Sequence, residues 1–308
     1  MTGHPVTGHP VLDIDSVSKG FGTVDILRQV NVRVEPGSVV AIVGHNGAGK
    51  TTLMRMALGL VQPDSGEVRL GGIPMARLGR LGGLVGASLD ASALPASWRT
   101  RAAVRMAADL AGVTDRQARE ALTLVGLSDV DRRRIGNLSM GMRQRLAIAI
   151  ALVATPRLLM LDEPTNALDP AISHELRGWL REHASRGNSV LLSSHNLAEV
   201  EEVADRIIVL DRGQVVQDAA KSTMLAADSA VVRVDRPDIL TERLGQLGYR
   251  SEQLPDGALR VHGLAAGEIG GICAKLGLTV RELRGERRRL TDIYQSLTTQ
   301  GATGDDRG

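Results

Sequence analysis

Three groups of residues in this chain have types and spacings that can act on a polyphosphate. Gly44-His45-Asn46-Gly47-Ala48-Gly49-Lys50-Thr51 fits the pattern G-x-x-x-x-G-K-[ST]. Glycines at 44, 47 and 49 let the backbone turn tightly, so that the N–H groups of Asn46, Ala48 and their neighbours point inward at phosphate oxygens. Lys50 adds a point charge at the terminal phosphates, Thr51 offers a hydroxyl to Mg²⁺, and Thr52 continues into a helix whose positive end faces the same anions. The second group is Asp162-Glu163, which follows the apolar run Leu158-Leu159-Met160-Leu161. Two carboxylates at the end of a buried strand are costly as structure alone, because unpaired buried charge is poorly tolerated. Asp162 is suited to bind Mg²⁺, and Glu163 to polarise an attacking water, a role worth on the order of 10²–10⁴-fold in rate. The third group is Leu138-Ser139-Met140-Gly141-Met142-Arg143-Gln144. Here Ser139 reads as a helix N-cap and Gly141 permits close backbone approach, so the helix start is itself an anion site. Together the groups point to hydrolysis of ATP coupled to mechanical work rather than to nucleotide binding alone.

The elements that must position these residues are legible around them. Alternating apolar and polar residues predict strands over 11–17 and 30–34, and Pro36-Gly37 marks a turn. The continuous apolar run Val39-Val40-Ala41-Ile42-Val43 enters the glycine loop directly, and a helix is expected from Lys50 to about Gly59. A strand resumes over 67–70, and Ala- and Arg-rich helical spacing from about 91 to 137 predicts a helical insert outside the sheet. Further helices are expected over 139–154, 171–185 and 197–203, and strands over 157–161, 189–193 and 207–210. Strands alternating with helices imply a parallel sheet covered on both faces. Beyond residue 228 the spacing changes. Strands over 231–234, 259–261 and 280–283 with helices over 239–247 and 268–276 suggest a split β-α-β unit, closed by a helix over 291–297.

Bulk properties narrow the function further. The 308 residues carry 37 Lys+Arg against 35 Asp+Glu, a formal net charge of +2, which is too even for nucleic acid or an anionic membrane to be the main partner. Short arginine runs at 132–134 and 287–289 have no aromatic platform beside them and read as solvated faces. Cys273 stands alone, so no disulfide framework exists within the chain. The longest apolar run, Leu146 to Ala154, is far below the roughly 18 residues a membrane span needs. No basic segment followed by an apolar one opens the chain, and no secretory signal is expected. The tandem Thr2-Gly3-His4-Pro5-Val6 and Thr7-Gly8-His9-Pro10-Val11 suggests a disordered leader over 1–11, and residues 299–308 a disordered tail.

In order and spelling these motifs resemble the nucleotide-binding subunit of an ABC transporter. The glycine loop is similar to its Walker A, 158–163 to its Walker B, 138–142 to its signature motif, Asn166-Ala167-Leu168-Asp169 to its D-loop, and Ser193-Ser194-His195 to its switch histidine. The resemblance covers about residues 12–217. It implies an α/β fold of the P-loop NTPase type, with a parallel sheet core, an antiparallel β subdomain and a helical subdomain over about 91–137. That nucleotide-binding domain would span 12–228, followed by a small α+β accessory domain over 229–298. It further implies a homodimer in which each ATP is sandwiched between one copy's Walker A and the other's signature helix. Ser139 and Gly141 would then contact the γ-phosphate bound by the partner chain, Asp169 of the D-loop would bind nucleotide, Phe21 would stack on adenine, and His195 would hold the γ-phosphate and water in register with Glu163. ATP and Mg²⁺ are the implied cofactors. The implied partner is a separate integral membrane permease, and the implied location is cytoplasmic, peripheral on the inner face of the cell membrane.

Two departures stand out. The usual L-S-G-G-Q signature carries Met140 and Met142 here, and the glutamine expected after Val85-Gly86-Ala87 is replaced by Asp90, a shorter candidate Mg²⁺ ligand. Trp98 is expected to anchor the helical insert. The signature spelling, and the tail Leu290-Thr291-Asp292-Ile293-Tyr294, are similar to exporter subunits of the drug-resistance and lantibiotic-immunity kind. Two rivals remain from other classes. A soluble ABC ATPase that remodels a macromolecule would normally fuse two such halves, whereas one phosphate loop is present here. A P-loop kinase would leave the signature helix unexplained.

Overall fold

The computed structural model describes residues 9–79, 83–226, 229–286 and 289–300. Most of the expected leader and tail, and Arg287 and Arg288 of the second arginine run, lie outside the described residues. The chain divides into two units between Ala220 and Lys221, whereas the sequence suggested a boundary at 228.

In the first unit, β1 (Leu12–Phe21), β2 (Val24–Val34), β4 (Ser65–Leu70) and β5 (Ile73–Pro74) form an antiparallel sheet in the order β2-β1-β4-β5. A six-stranded sheet combines β3 (Val39–Val43), β6 (Val85–Ser88), β7 (Leu158–Asp162), β8 (Ser189–Ser194), β9 (Arg206–Asp211) and β10 (Gln214–Ala220) in the order β10-β9-β3-β8-β7-β6. All its pairs are parallel except β9–β10. The helices of this unit are α1 (Lys50–Ala57), α2 (Thr100–Ala111), α3 (Asp115–Leu124), α4 (Met140–Leu152), α5 (Pro170–Ser185) and α6 (Leu197–Val203). Every residue of β3, β7 and β8 is buried, which is why these strands read as unbroken apolar runs.

One core joins the two sheets. Leu12, Ile14, Val32 and Val68 of the antiparallel sheet meet Leu53, Met54 and Met56 of α1, and Val40, Ile42, Met160, Leu191 and Ile208 of the parallel sheet. Each such side chain stabilises the fold by roughly 1.5–3 kcal/mol on burial. Helix α1, which follows the glycine loop, is therefore fixed between two sheets rather than lying on a surface. The parallel registers Val43↔Ser194, Asp162↔Ser193 and Ser88↔Leu161 bring the carboxyl ends of β3, β8, β7 and β6 to one edge, where α/β sheets place ligands.

Helices α2 and α3 occupy the expected insert. Helix α3 opens with a capping box from Thr114 and Gln117. The Arg132-Arg133-Arg134 run serves this region through its backbone. Arg133 O accepts from Thr100 N at 2.9 Å, and Arg132 O from the Arg99 guanidinium at 2.7 Å. Trp98 lies in the same segment and its carbonyl accepts from Ile135 N at 2.8 Å.

The second unit holds α7 (Lys221–Met224), β11 (Ser229–Val234), α8 (Pro237–Gln246), β12 (Ser251–Gln253), β13 (Leu259–His262), α9 (Ala266–Lys275), β14 (Val280–Glu286) and α10 (Leu290–Gln300). Its sheet runs β12-β13-β11-β14 with every neighbouring pair antiparallel, a βαββαβ arrangement of the ferredoxin-like kind. The expected split β-α-β unit lacked β12, whose Ser251-Glu252-Gln253 carries no apolar signal. Its core contains Val232, Leu240, Leu244, Val261, Ile269 and Cys273, and burial pushes the Cys273 thiol up, so this sulfur is a packing group.

His183 on α5 is buried with no partner for Nε2, and burial lowers its pKa from the ordinary 6.5 against the opposing effect of the Pro156 carbonyl. A group whose pKa is depressed on folding binds its proton better when unfolded. Its full contribution to stability is present above 6.5 and is lost as pH falls towards the folded value. The melting temperature of the full-length protein is expected to fall between about pH 7 and about pH 5 more steeply than that of His183→Phe. Parallel slopes would dismiss this assignment.

Candidate functional site

The glycine loop links β3 to α1. Gly47 and Gly49 have φ of 86° and 105°, the left-handed region that only glycine enters freely. The N-cap position of α1 is Gly49, and no side chain caps the helix or places an acid in its first turn. Its first N–H groups and its positive end thus face outward, the arrangement that binds anions. Lys50 is buried, and its ammonium donates to Gly44 O at 2.7 Å and lies 3.5 Å from Glu163 Oε1. Ile26, His45, Asn46, Gly47, Gly49, Lys50, Thr51, Thr52, Asp162 and Glu163 line a cleft of about 280 Å³. Loop and carboxylates, far apart in the chain, therefore meet. Ala48 is buried beneath the loop, with its carbonyl accepting from Gly213 N at 3.2 Å.

Thr51 Oγ1 donates to Asp162 Oδ2 at 2.5 Å, and Ser193 Oγ donates to Asp162 Oδ1. The same Ser193 oxygen accepts from Glu163 N at 3.0 Å. Ser193 thus orients both acids from the end of β8. The sequence placed Ser193 within the switch-histidine motif but gave it no role of its own, because that role depends on the register of β8 against β7. Glu163 has φ of 47°, a left-handed conformation that costs a non-glycine residue on the order of 1 kcal/mol or more. Its carboxylate Oε2 accepts from His195 Nδ1 at 2.8 Å and from His195 N at 3.3 Å. His195 and Glu163 thus meet directly in one chain.

Asp90 caps the short 3₁₀ turn Ala91–Ala93. The Ser92 hydroxyl at 2.6 Å, then the Ser92 N–H at 2.8 Å, hold its carboxyl below the usual carboxylate range, so it remains ionised. It lines a second cleft of about 360 Å³ together with Met140, Arg143, Gln144, Asp162, Glu163 and Asn166.

Four expected site residues are placed elsewhere. Phe21 ends β1, half exposed, with the Lys19 ammonium 5.4 Å from its ring centroid, and does not line the phosphate cleft. Asp169 accepts from Ile172 N at 3.0 Å as the N-cap of α5, with Pro170 following. Ser139 accepts from Met142 N at 3.2 Å as the N-cap of α4. Gly141 is required by packing in its own chain, because a Cβ there would fall 2.7 Å from Ala167 O. Neither Ser139 nor Gly141 lines the phosphate cleft.

Known proteins share this arrangement. A family model described as ABC transporter matches residues 27–166, and one described as a domain of unknown function matches 228–290. A bacitracin transport ATP-binding protein of Enterococcus faecalis is 30% identical over 299 residues, 94% of this chain and 97% of that one. The chain belongs to the ATP-binding subunits of ABC transporters. A lantibiotic transport ATP-binding protein of Streptococcus pyogenes is 36% identical over 208 residues, 67% of this chain and 89% of the relative. The solved ATP-binding subunit of an ABC transporter superposes with a TM-score of 0.62 at 26% identity, covering 70% of this chain and 91% of that one. This ABC subunit is therefore an ATPase that drives transport through a membrane permease. Among the described residues no helix is long and apolar enough to cross a membrane.

Proposed function

We propose that this subunit powers export of a peptide antibiotic or a similarly amphipathic drug, working as a homodimer that clamps two ATP molecules. The matches to bacitracin and lantibiotic transport proteins support the substrate class, because the bacitracin relative is covered almost from end to end, second unit included. The observation carrying the dimer is that Ser139 and Gly141, which open α4, do not line their own chain's phosphate cleft, although Met140, Arg143 and Gln144 beside them share the second cleft with Asp162 and Glu163. That helix start is left for a second copy's nucleotide. A soluble remodelling ATPase finds no comparable support.

Within each site Lys50 and the loop N–H groups bind the phosphates, Glu163 accepts the proton of the attacking water, and His195 orients Glu163. Phe21 and Asp169 are retained as proposed nucleotide contacts, Phe21 on the adenine, although neither lines the phosphate cleft. The donors of Thr51 and Asp162, with Asp90 beside them, are hard oxygens suited to Mg²⁺. When bound, the ion would neutralise charge on the terminal phosphates. The dimer would sit on the cytoplasmic face of the membrane against its permease, with the βαββαβ unit as an accessory domain.

Lys50→Ala is expected to weaken ATP binding by roughly tenfold or more, the scale of losing a charge-assisted contact in a shielded site. Cells carrying it in place of the natural gene should become sensitive to bacitracin- or lantibiotic-class peptides. Wild-type affinity in a binding titration would refute the phosphate-loop assignment, and unchanged resistance despite lost binding would refute the export assignment.

A further inference from the structure

The turn between β9 and β10 is built against the phosphate loop. Arg212 and Gly213 have φ of 45° and 78°, the positive values of a tight hairpin turn. Gly213 N donates to Ala48 O at 3.2 Å, and Gly213 O accepts from Arg28 N on β2 at 2.8 Å. Asp211, buried at the end of β9, places Oδ1 3.1 Å from His45 Nε2. The other ring nitrogen, Nδ1, lies 2.7 Å from Asn46 O.

The ring is thus held between the Asn46 carbonyl on one side and the Asp211 carboxylate on the other. The His45 backbone is tied to the same loop, its carbonyl lying 3.3 Å from the Lys50 ammonium.

We infer that Asp211 is a positioning residue for nucleotide binding, holding the His45 ring so that it braces the phosphate loop. The inference rests on residues 44–51 being the phosphate loop. It makes ATP affinity depend on a contact that the hydrolytic residues do not share.

The test is ATP binding to the full-length chain with Mg²⁺, followed calorimetrically. Asp211→Ala should bind ATP roughly fivefold more weakly than the natural protein, as expected for loss of one partly exposed contact. In Asp211→Asn the amide can still hydrogen-bond the ring, so this conservative variant should recover most of the affinity that Asp211→Ala has lost. A wild-type affinity in Asp211→Ala, or no recovery in Asp211→Asn, would overturn the inference. If Lys50→Ala loses ATP in the same assay while Asp211→Ala does not, the brace alone fails. If Lys50→Ala binds normally, the loop assignment fails with it.

Discussion

Glu163→Gln is expected to bind ATP at least as well as the natural protein and to hydrolyse it on the order of 10²–10⁴-fold more slowly. The amide has the shape of the carboxylate, and its oxygen can still accept from His195 N–H groups now 2.8 and 3.3 Å from Glu163 Oε2. What disappears is the base and one negative charge beside the phosphates, which also frees Lys50 from its 3.5 Å contact with Oε1. Binding should therefore survive while proton acceptance fails. If ATP closes two copies and cleavage parts them, the variant should accumulate as a dimer with ATP and Mg²⁺. Phosphate release and size-exclusion chromatography read the two effects separately. Slow turnover with a monomeric elution profile would retain Glu163 as the base but remove the shared site. Natural turnover would remove Glu163 itself.

How far the sequence reveals this protein depends on where each residue sits in the sheet. Strands β3, β7, β8 and β9 lie in the interior of the six-stranded sheet, bury nearly every side chain and announce themselves as apolar runs. Edge strands have no such need. Strand β10, Gln214–Ala220, and β12, Ser251–Gln253, expose polar residues at the margins of their sheets and escaped the reading of periodicity. In β1 and β2 the alternation breaks at bulges near Ser16 and Gln29, both at positive φ, so each strand runs longer than its pattern suggested. The loop and the acid pair were legible because their geometry depends on neighbours in the chain. Ser193 and the His45–Asp211 contact were not, because they depend on parallel register between strands distant in sequence.

Ser139→Arg should leave ATP binding by the isolated chain nearly unchanged and abolish turnover. Ser139 is exposed and outside its own phosphate cleft, so the first half follows from one protomer. The second half requires that a partner's phosphate approach the start of α4, where a long side chain would stand in its place. Ser139 also caps α4 through Met142 N, and losing a cap costs about 1 kcal/mol, so reduced activity could be confused with a loosened helix. Ser139→Asp separates the two effects. Aspartate caps a helix as well as serine does and suits its positive end, yet it would repel a phosphate. That variant should keep the natural melting temperature and ATP affinity while losing turnover by about 10²-fold or more, the scale of removing a preorganised donor from a developing anion. Natural turnover in Ser139→Asp would leave Ser139 a cap and nothing more, and the partner's nucleotide would have to be completed by other residues.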